Sequence, residues 1–294
     1  MNVKDAKIVF FGFGDVGYKC LKYLLENDYF VLAVFTHDFD KNEKEWFNSP
    51  ESLAKEYGID VFKPNNLKSA KWIRKFKYIK PDLILSLYYR KRIPEEIFSQ
   101  AQIGAYNLHG SYLPSYKGRA PLNWAIINGE NYTGVSLHKL EKDFDTGDII
   151  DRKKVEFSQD EYVKDIQPKV SQAALDIFTK NIDNLILNKI KPVKQSEICD
   201  TSTSYFGKRT PEDSRIDFTK STFEIINLIR AVSYPFNGAF FEDAKCRYIL
   251  WEADAIKKET SYPTGIILER TPEMLVVSTK DGFLQCKKYE ILPK

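Results

Sequence analysis

The sequence predicts an α/β chain, with a doubly wound parallel sheet followed by a smaller, β-rich domain. Three observations lead there. Through residues 1–150, strand-like apolar runs alternate with helical periodicity, which implies parallel strands covered by helices. Beyond Ile149 the pattern changes to one long helix, a polar stretch and a series of short strands. The length of 294 residues, 43% of them hydrophobic, suits a large domain plus a small one with a substantial core. The first domain therefore reads as Rossmann-like and the second as barrel-like.

The elements follow in order. "KIVFFGF" (7–13) is a buried-type strand, and Val16 to Leu25 places Leu21, Leu24 and Leu25 at helical spacing. "FVLAVFTH" (30–37) is a second strand. "SPESLAKEYG" (49–58) offers Ser49 as N-cap, Pro50 at the first helical position and Gly58 as a stop. "IDVFKP" (59–64) reads as a short strand, "SAKWIRKFKYI" (69–79) as a helix and "DLILSLYY" (82–89) as another strand. Residues 165–190 form a long amphipathic helix, with Pro168 tolerable only in its first turn. A short helix at 221–232 and the segments "GAFFE", "CRYILWEA", "TGIILER", "MLVVST" and "GFLQCKKYEI" complete a small barrel or sandwich. The expected division is an α/β domain over 1–190, a linker over 191–204 and a β-rich domain over 205–294.

Composition narrows the function. With 44 basic against 41 acidic residues and a formal net charge of +3, the chain is not built for nucleic-acid phosphates. No apolar run approaches the ~18 residues that span a bilayer, and the N-terminus runs straight into a strand rather than a signal peptide. Cys20, Cys199, Cys246 and Cys286 show no C-x-x-C spacing, so neither zinc nor a redox dithiol is indicated. They read as reduced thiols of a cytoplasmic protein.

Two motifs compete for the chemistry. Gly12, Gly14 and Gly17 form G-x-G-x-x-G after the first strand, the spacing of a dinucleotide site, with Asp38 in the place of the ribose carboxylate. The other lies further on, in "NLHGSYLPSYKGRAPLNW". Asn107 and His109 are two apart, which in a strand puts both on one face. His109 stands at the carboxyl end of a sheet strand and opens a long Gly/Ser/Pro-rich loop, where ligands of such sheets sit. An Asn amide can donate to a developing oxyanion, and a carboxylate accepting from the His ring would fix its tautomer. The acidic turn "EKDFDTGD" supplies Asp143, Asp145 and Asp148 as candidates, or only turn chemistry. A metal reading of these acids is weak, and no metal is expected. Asn, His and Asp without a Ser or Cys nucleophile suggest acyl transfer directly to an external amine.

"NLHGSYLPSYKGRAPLNWAIINGE", "TGVSLHKLEKDFDTGDII" and "YFGKRTPEDSRIDF" resemble the 10-formyltetrahydrofolate-dependent formyltransferases, over nearly the whole chain. The N-x-H-G-S-x-L-P motif with D-x-G placed 36 residues beyond the histidine is a specific signature. Within the superfamily the chain is similar to the sugar N-formyltransferases, and among them to the formyltransferase domain of the bifunctional UDP-4-amino-4-deoxy-L-arabinose modification enzyme. The resemblance implies that Asn107 orients the formyl group and stabilises the oxyanion. His109 would take the amine proton and pass it to the leaving folate nitrogen, with Asp145 tuning His109. A sugar amine with a pKa of roughly 8 is partly protonated at neutral pH, so a positioned base has a task worth about 10²–10⁴-fold.

Further roles follow from the same resemblance. Folate contacts map onto Lys91, Arg92, Ile93, Arg119 and the stretch Glu141, Lys142, Asp143 and Phe144. Gly12, Phe13 and Gly14 would approach the nucleotide-linked amino sugar, with Tyr88, Tyr89, Lys208 and Arg209 as candidate nucleotide contacts. Relatives lack the three-glycine spacing in their first loop, so the resemblance makes that match incidental, dismisses NAD and leaves Asp38 a loop residue. It implies dTDP-4-amino-4,6-dideoxyglucose as acceptor, with the UDP-arabinose derivative next, and a product bound for lipopolysaccharide, as O-antigen or lipid A. It also implies a homodimer. Methionyl-tRNA formyltransferases carry a basic, Gly-containing insertion after the second strand. "DFDKNEKEWFNSPES" here is of mixed charge. An oxidoreductase or a degenerate binding module accounts for neither the trio nor the C-terminal segment.

Overall fold

Strand alternation and helix caps build the elements much as they read. The computed structural model describes residues 2–39, 47–259 and 261–294. The chain divides into two units that are each assembled from separate stretches: 1–118, 133–155 and 169–205 in one, and 119–132, 156–168 and 206–294 in the other.

The first unit holds β1 (Ile8–Gly12), α1 (Gly14–Glu26), β2 (Val31–Phe35), α2 (Pro50–Glu56), β3 (Val61–Phe62), α3 (Ala70–Ile79), β4 (Leu83–Leu87), α4 (Glu95–Phe98) and β5 (Gly104–His109). The two-residue β6 (Lys117–Gly118) follows β5. Ser49 caps α2, its side chain accepting from the Glu51 N–H at 3.1 Å, and Gly58 takes φ +67 just beyond. Together with β7 (Tyr132–Lys139) and β8 (Ile149–Glu156), these strands form a seven-stranded sheet in the order β3-β2-β1-β4-β5-β7-β8. The pairs from β3 to β5 are parallel, and β5 meets β7 antiparallel. Odd-numbered β1 residues Val9 and Phe11 pack one face against Phe35, Trp72, Phe76 and Ile84, while Ile8 and Phe10 are buried on the other, as expected of a sheet covered on both sides.

The long helix α6 (Val163–Ile186) differs from its sequence reading, because Pro168 is its sixth residue rather than part of a first turn. The Asp165 carboxylate accepts from the Tyr162 N–H at 3.0 Å and so starts the helix upstream, and Asn188, at φ +51, stops it early.

The second unit contains α5 (Pro121–Ile127), the two-residue β9 (Tyr205–Phe206) at its edge, α7 (Thr222–Val232) and the strands β10 (Ala239–Glu242), β11 (Cys246–Ile256), β12 (Ile267–Thr271), β13 (Met274–Thr279) and β14 (Gly282–Pro293). The last five make one antiparallel sheet ordered β10-β11-β14-β13-β12. A capping box between Ser221 and Glu224 starts α7. Arg230 on α7 is buried at 1% exposure. Its guanidinium donates to the Ser158 and Glu161 carbonyls, Gln159 Oε1 and Asn227 Oδ1, all within 3.0 Å. Four of its five N–H donors are thereby answered by neutral acceptors, as burial of a guanidinium demands. Among the described residues no helix is long and apolar enough to cross a membrane.

Candidate active site

Strand period brings the first two candidate residues together, and sheet register brings a third that the sequence reading missed. Asn107 and His109 share one face of β5 at its carboxyl end, and on the antiparallel neighbour β7 His138 stands directly opposite Asn107. The turn between β7 and β8 carries Asp145 back onto the same spot. Asp145 Oδ1 lies 3.5 Å from His109 Nδ1, 3.4 Å from Asn107 Nδ2 and 3.6 Å from His138 Nε2. Its other oxygen accepts the Gly118 N–H at 2.9 Å. His109 Nε2 sits 3.0 Å from the Tyr116 carbonyl. Ser111, a nearby hydroxyl, donates to the Ser115 carbonyl. Asp143, the neighbouring candidate acid, is exposed and takes no part in this cluster as described.

Burial pushes the Asp145 carboxyl up, but the His109 ring and the Gly118 N–H overcome it and hold the acid well below the usual carboxylate range. Beside it, burial lowers the Lys117 ammonium against the pull of Asp145. Backbone strain concentrates here. Tyr88, Tyr116 and Asp145 hold left-handed backbone at φ 59, 56 and 56, a conformation that costs a non-glycine residue free energy and persists only where neighbours enforce it.

For Tyr116 and Asp145 those neighbours come from the polar stretch 191–204. The Gln195 amide donates to the carbonyls of Asp145 (2.8 Å) and Gly147 (2.9 Å). Ser204 accepts the Tyr116 N–H at 2.8 Å through its hydroxyl and the Lys117 N–H at 2.9 Å through its carbonyl. Asp200 pairs with both terminal nitrogens of Arg152 at 3.0 and 3.1 Å, and that guanidinium lies over the Tyr112 ring. The loop after His109 and the acidic turn are therefore both tied to one strap of backbone.

The remaining sequence candidates fall into groups. Arg92 donates to the Lys142 carbonyl and lies 5.4 Å from the Phe144 ring, and a cleft of 290 Å³ opens along Glu141, Lys142, Asp143, Thr146, Gly147 and Asp148. Lys91 turns aside to the Pro64 carbonyl at 3.0 Å, and the Ile93 side chain is buried in the core, which leaves its backbone to a ligand. Phe13 stacks on His37 at 4.0 Å beneath the Arg90 guanidinium and is 4% exposed. The hydroxyls of Tyr88 and Tyr89 are buried without a hydrogen-bond partner among the described residues, and burial pushes both phenols up. In the second unit Arg119 is exposed and its N–H bonds the Phe206 carbonyl at 2.9 Å. Arg209 lies over the Trp124 ring, and Lys208 is exposed.

The G-x-G-x-x-G turn serves packing. Gly14 takes φ +66, and a Cβ on Gly17 would lie 3.2 Å from the Gly12 backbone and from Pro50. Asp15, in the first turn of α1, is tied to Lys19 at 2.7 Å and to Ser171. An acid there repels a pyrophosphate. Asp38 pairs with Lys63 at 2.7 Å. The four cysteines are free thiols. Burial raises both the Cys20 and Cys286 thiols, the latter to about 12. Among the described residues no group of three or more His, Cys, Asp or Glu is placed to hold a metal ion.

Two imidazoles and a shared carboxylate at the end of an α/β sheet make a class of site whose groups can take up and release protons. Within that class the chain belongs to the formyl transferase family: residues 6–182 match formyl transferase and residues 208–292 the formyl transferase C-terminal domain. Among solved structures it is similar to the N-formyltransferase of Helicobacter canadensis, crystallised with folinic acid and dTDP-3-aminofucose, at 24% identity and a TM-score of 0.76 over 97% of this chain and 100% of that one. It is also similar to WlaRD, a sugar 3N-formyl transferase crystallised with dTDP and 5-N-formyl-THF, at 23% identity and a TM-score of 0.72 over 97% of each chain. A 4-N formyltransferase from Francisella tularensis is 25% identical, with a TM-score of 0.65 over 81% of this chain and 93% of that one.

Proposed function

We propose that the protein transfers the formyl group of 10-formyltetrahydrofolate to the amino group of a nucleotide-linked amino sugar. The observation that carries this reading is the convergence of Asn107, His109 and Asp145 at the carboxyl end of β5. Family membership and the folate and dTDP-sugar ligands of the similar proteins support the donor and the acceptor class. Arg92 and residues 141–144, along the cleft beside the site, are the proposed folate contacts. Lys91, Arg119 and the Ile93 backbone join them on the strength of the resemblance. Gly12, Gly14 and the Phe13 backbone, with Tyr88, Tyr89, Lys208 and Arg209, are proposed for the sugar nucleotide.

The neutral amine attacks the formyl carbon, a C–N bond forms and the carbonyl electrons move to oxygen. Asn107 meets that oxyanion with the N–H that Asp145 holds loosely at 3.4 Å. His109 takes the proton from the attacking nitrogen and returns it to N10 of folate as the C–N10 bond breaks, giving the formamide and tetrahydrofolate. The Tyr116 carbonyl can only accept, so Nε2 carries a hydrogen at rest; to act as base, His109 must leave that carbonyl and give up the Nε2 hydrogen while Nδ1 keeps the one that faces Asp145. Asp145 fixes the tautomer from the opposite edge of the ring.

Within the class, dTDP-4-amino-4,6-dideoxyglucose is the proposed acceptor. The reading places a homodimer in the cytoplasm, making a sugar for lipopolysaccharide. Incubation of the protein with 10-formyltetrahydrofolate and, in turn, dTDP-linked 4-amino and 3-amino sugars, UDP-4-amino-4-deoxy-L-arabinose and methionyl-tRNA tests it. Mass spectrometry should find one added formyl group on the first. Formylation of methionyl-tRNA alone overturns the sugar reading, and a preference for the 3-amino or UDP-linked sugar overturns the specific acceptor.

A further inference from the structure

His138 lies outside the roles assigned above, yet its ring touches two of the three catalytic candidates. It is 1% exposed and stands opposite Asn107 in the β5–β7 register. Its Nδ1 is 2.7 Å from the carbonyl of Lys139, which can only accept, so Nδ1 carries the hydrogen and Nε2 a lone pair. Asn107 Nδ2, at 3.0 Å, donates to that lone pair. The second hydrogen of the same NH₂ faces Asp145 Oδ1 at 3.4 Å, beyond the usual N–H···O distance. Reversing the amide would set its oxygen against a lone pair on one side and a carboxylate on the other. The Lys139 carbonyl thus puts a hydrogen on Nδ1, and Nε2, at 3.6 Å from Asp145 Oδ1 and so outside hydrogen-bond reach of it, is left to accept from Asn107.

We propose that His138 is a positioning residue, which as the Nδ1–H tautomer holds the nitrogen end of the Asn107 carboxamide in place and keeps its second N–H free to turn to the formyl oxygen. The inference rests on the formyl-transfer reading for its kinetic consequence, but not for its hydrogen bonds. His138→Leu fills the space without an acceptor, whereas His138→Gln offers a carbonyl oxygen near the position of Nε2. We expect His138→Leu to lower kcat roughly 10–100-fold with KM for donor and acceptor little changed. His138→Gln should recover most of that loss at the same thermal stability as the leucine variant. Wild-type kcat in His138→Leu, or a glutamine variant no faster than it, overturns the proposal. Should either variant fail to fold, ¹⁵N NMR of the imidazoles in the intact wild-type protein decides. An Nδ1–H signal for His138 supports the proposal, and an Nε2–H or doubly protonated ring at neutral pH overturns it. A wild-type protein that formylates none of the acceptors defeats the functional reading, while the NMR measurement still decides the role of His138.

Discussion

At the end of β1, Gly14 turns the chain into α1, and Asp15 is closed off by Lys19 at 2.7 Å and by Ser171. At the end of β5, Asn107 and His109 face Asp145 across 3.4 and 3.5 Å, and the Asp145 backbone is held in a strained conformation. Both are strand-to-loop turns of one sheet, and each carries a motif that a sequence search would flag. The first offers no free charge: its glycines allow close approach of helix and strand, and Asp15 is already paired. The second is slack, with long contacts and strained backbone held by a strap. On the proposed reading, residual hydrogen-bonding capacity at a strand end, rather than a glycine pattern, goes with the chemistry.

His109→Asn should break the comparison hardest. Turnover is expected to fall by about 10²–10⁴-fold while sugar-nucleotide binding by calorimetry persists, and near-normal turnover would remove His109 from its role. Asp145→Asn should cost less, roughly 10–100-fold in kcat. Its pH signature is separate. The folded carboxyl is held below the ~3.9 of an unfolded aspartate, so the folded chain binds fewer protons between the two values and stability rises with pH there. The Tm advantage of wild type over Asp145→Asn should therefore shrink as pH falls below about 4. Gln195→Ala should lower kcat by about 10-fold or less through the released acidic turn, with a small loss of Tm. Gly17→Ala, at the other strand end, should cost about 1–3 kcal/mol of stability and leave kcat unchanged. Smallest of all, millimolar NAD should leave Tm unmoved, and a shift would reopen the dinucleotide reading.

What the sequence made legible was what depends on short spacing. Asn107 and His109 share a face because strand period is two, and Ser49 announced its helix through a local cap. From residue chemistry alone Asp145 was legible only as one of three acids in a turn, because which one reaches the imidazole depends on how β7 returns to β8; the resemblance singled it out. His138 sits in "TGVSLHKL", in phase with Ser136, so a polar face on β7 was visible. That it meets Asn107 requires the β5–β7 register, which no local pattern encodes. Gln195 left no signal, since its hydrogen bonds to main-chain carbonyls span about fifty residues. Pro168 misled because the side chain of Asp165 outweighed the usual helix boundary.

The strap over 191–204 has one consequence for handling the enzyme. Its exposed middle, around Cys199 to Thr203, joins Gln195 to Ser204 without a helix or strand of its own. A protease nick there would leave every catalytic side chain covalently in place, yet separate the two anchors that tension the acidic turn and the loop after His109. Such a clipped protein would look intact by circular dichroism and still turn over more slowly at the bench.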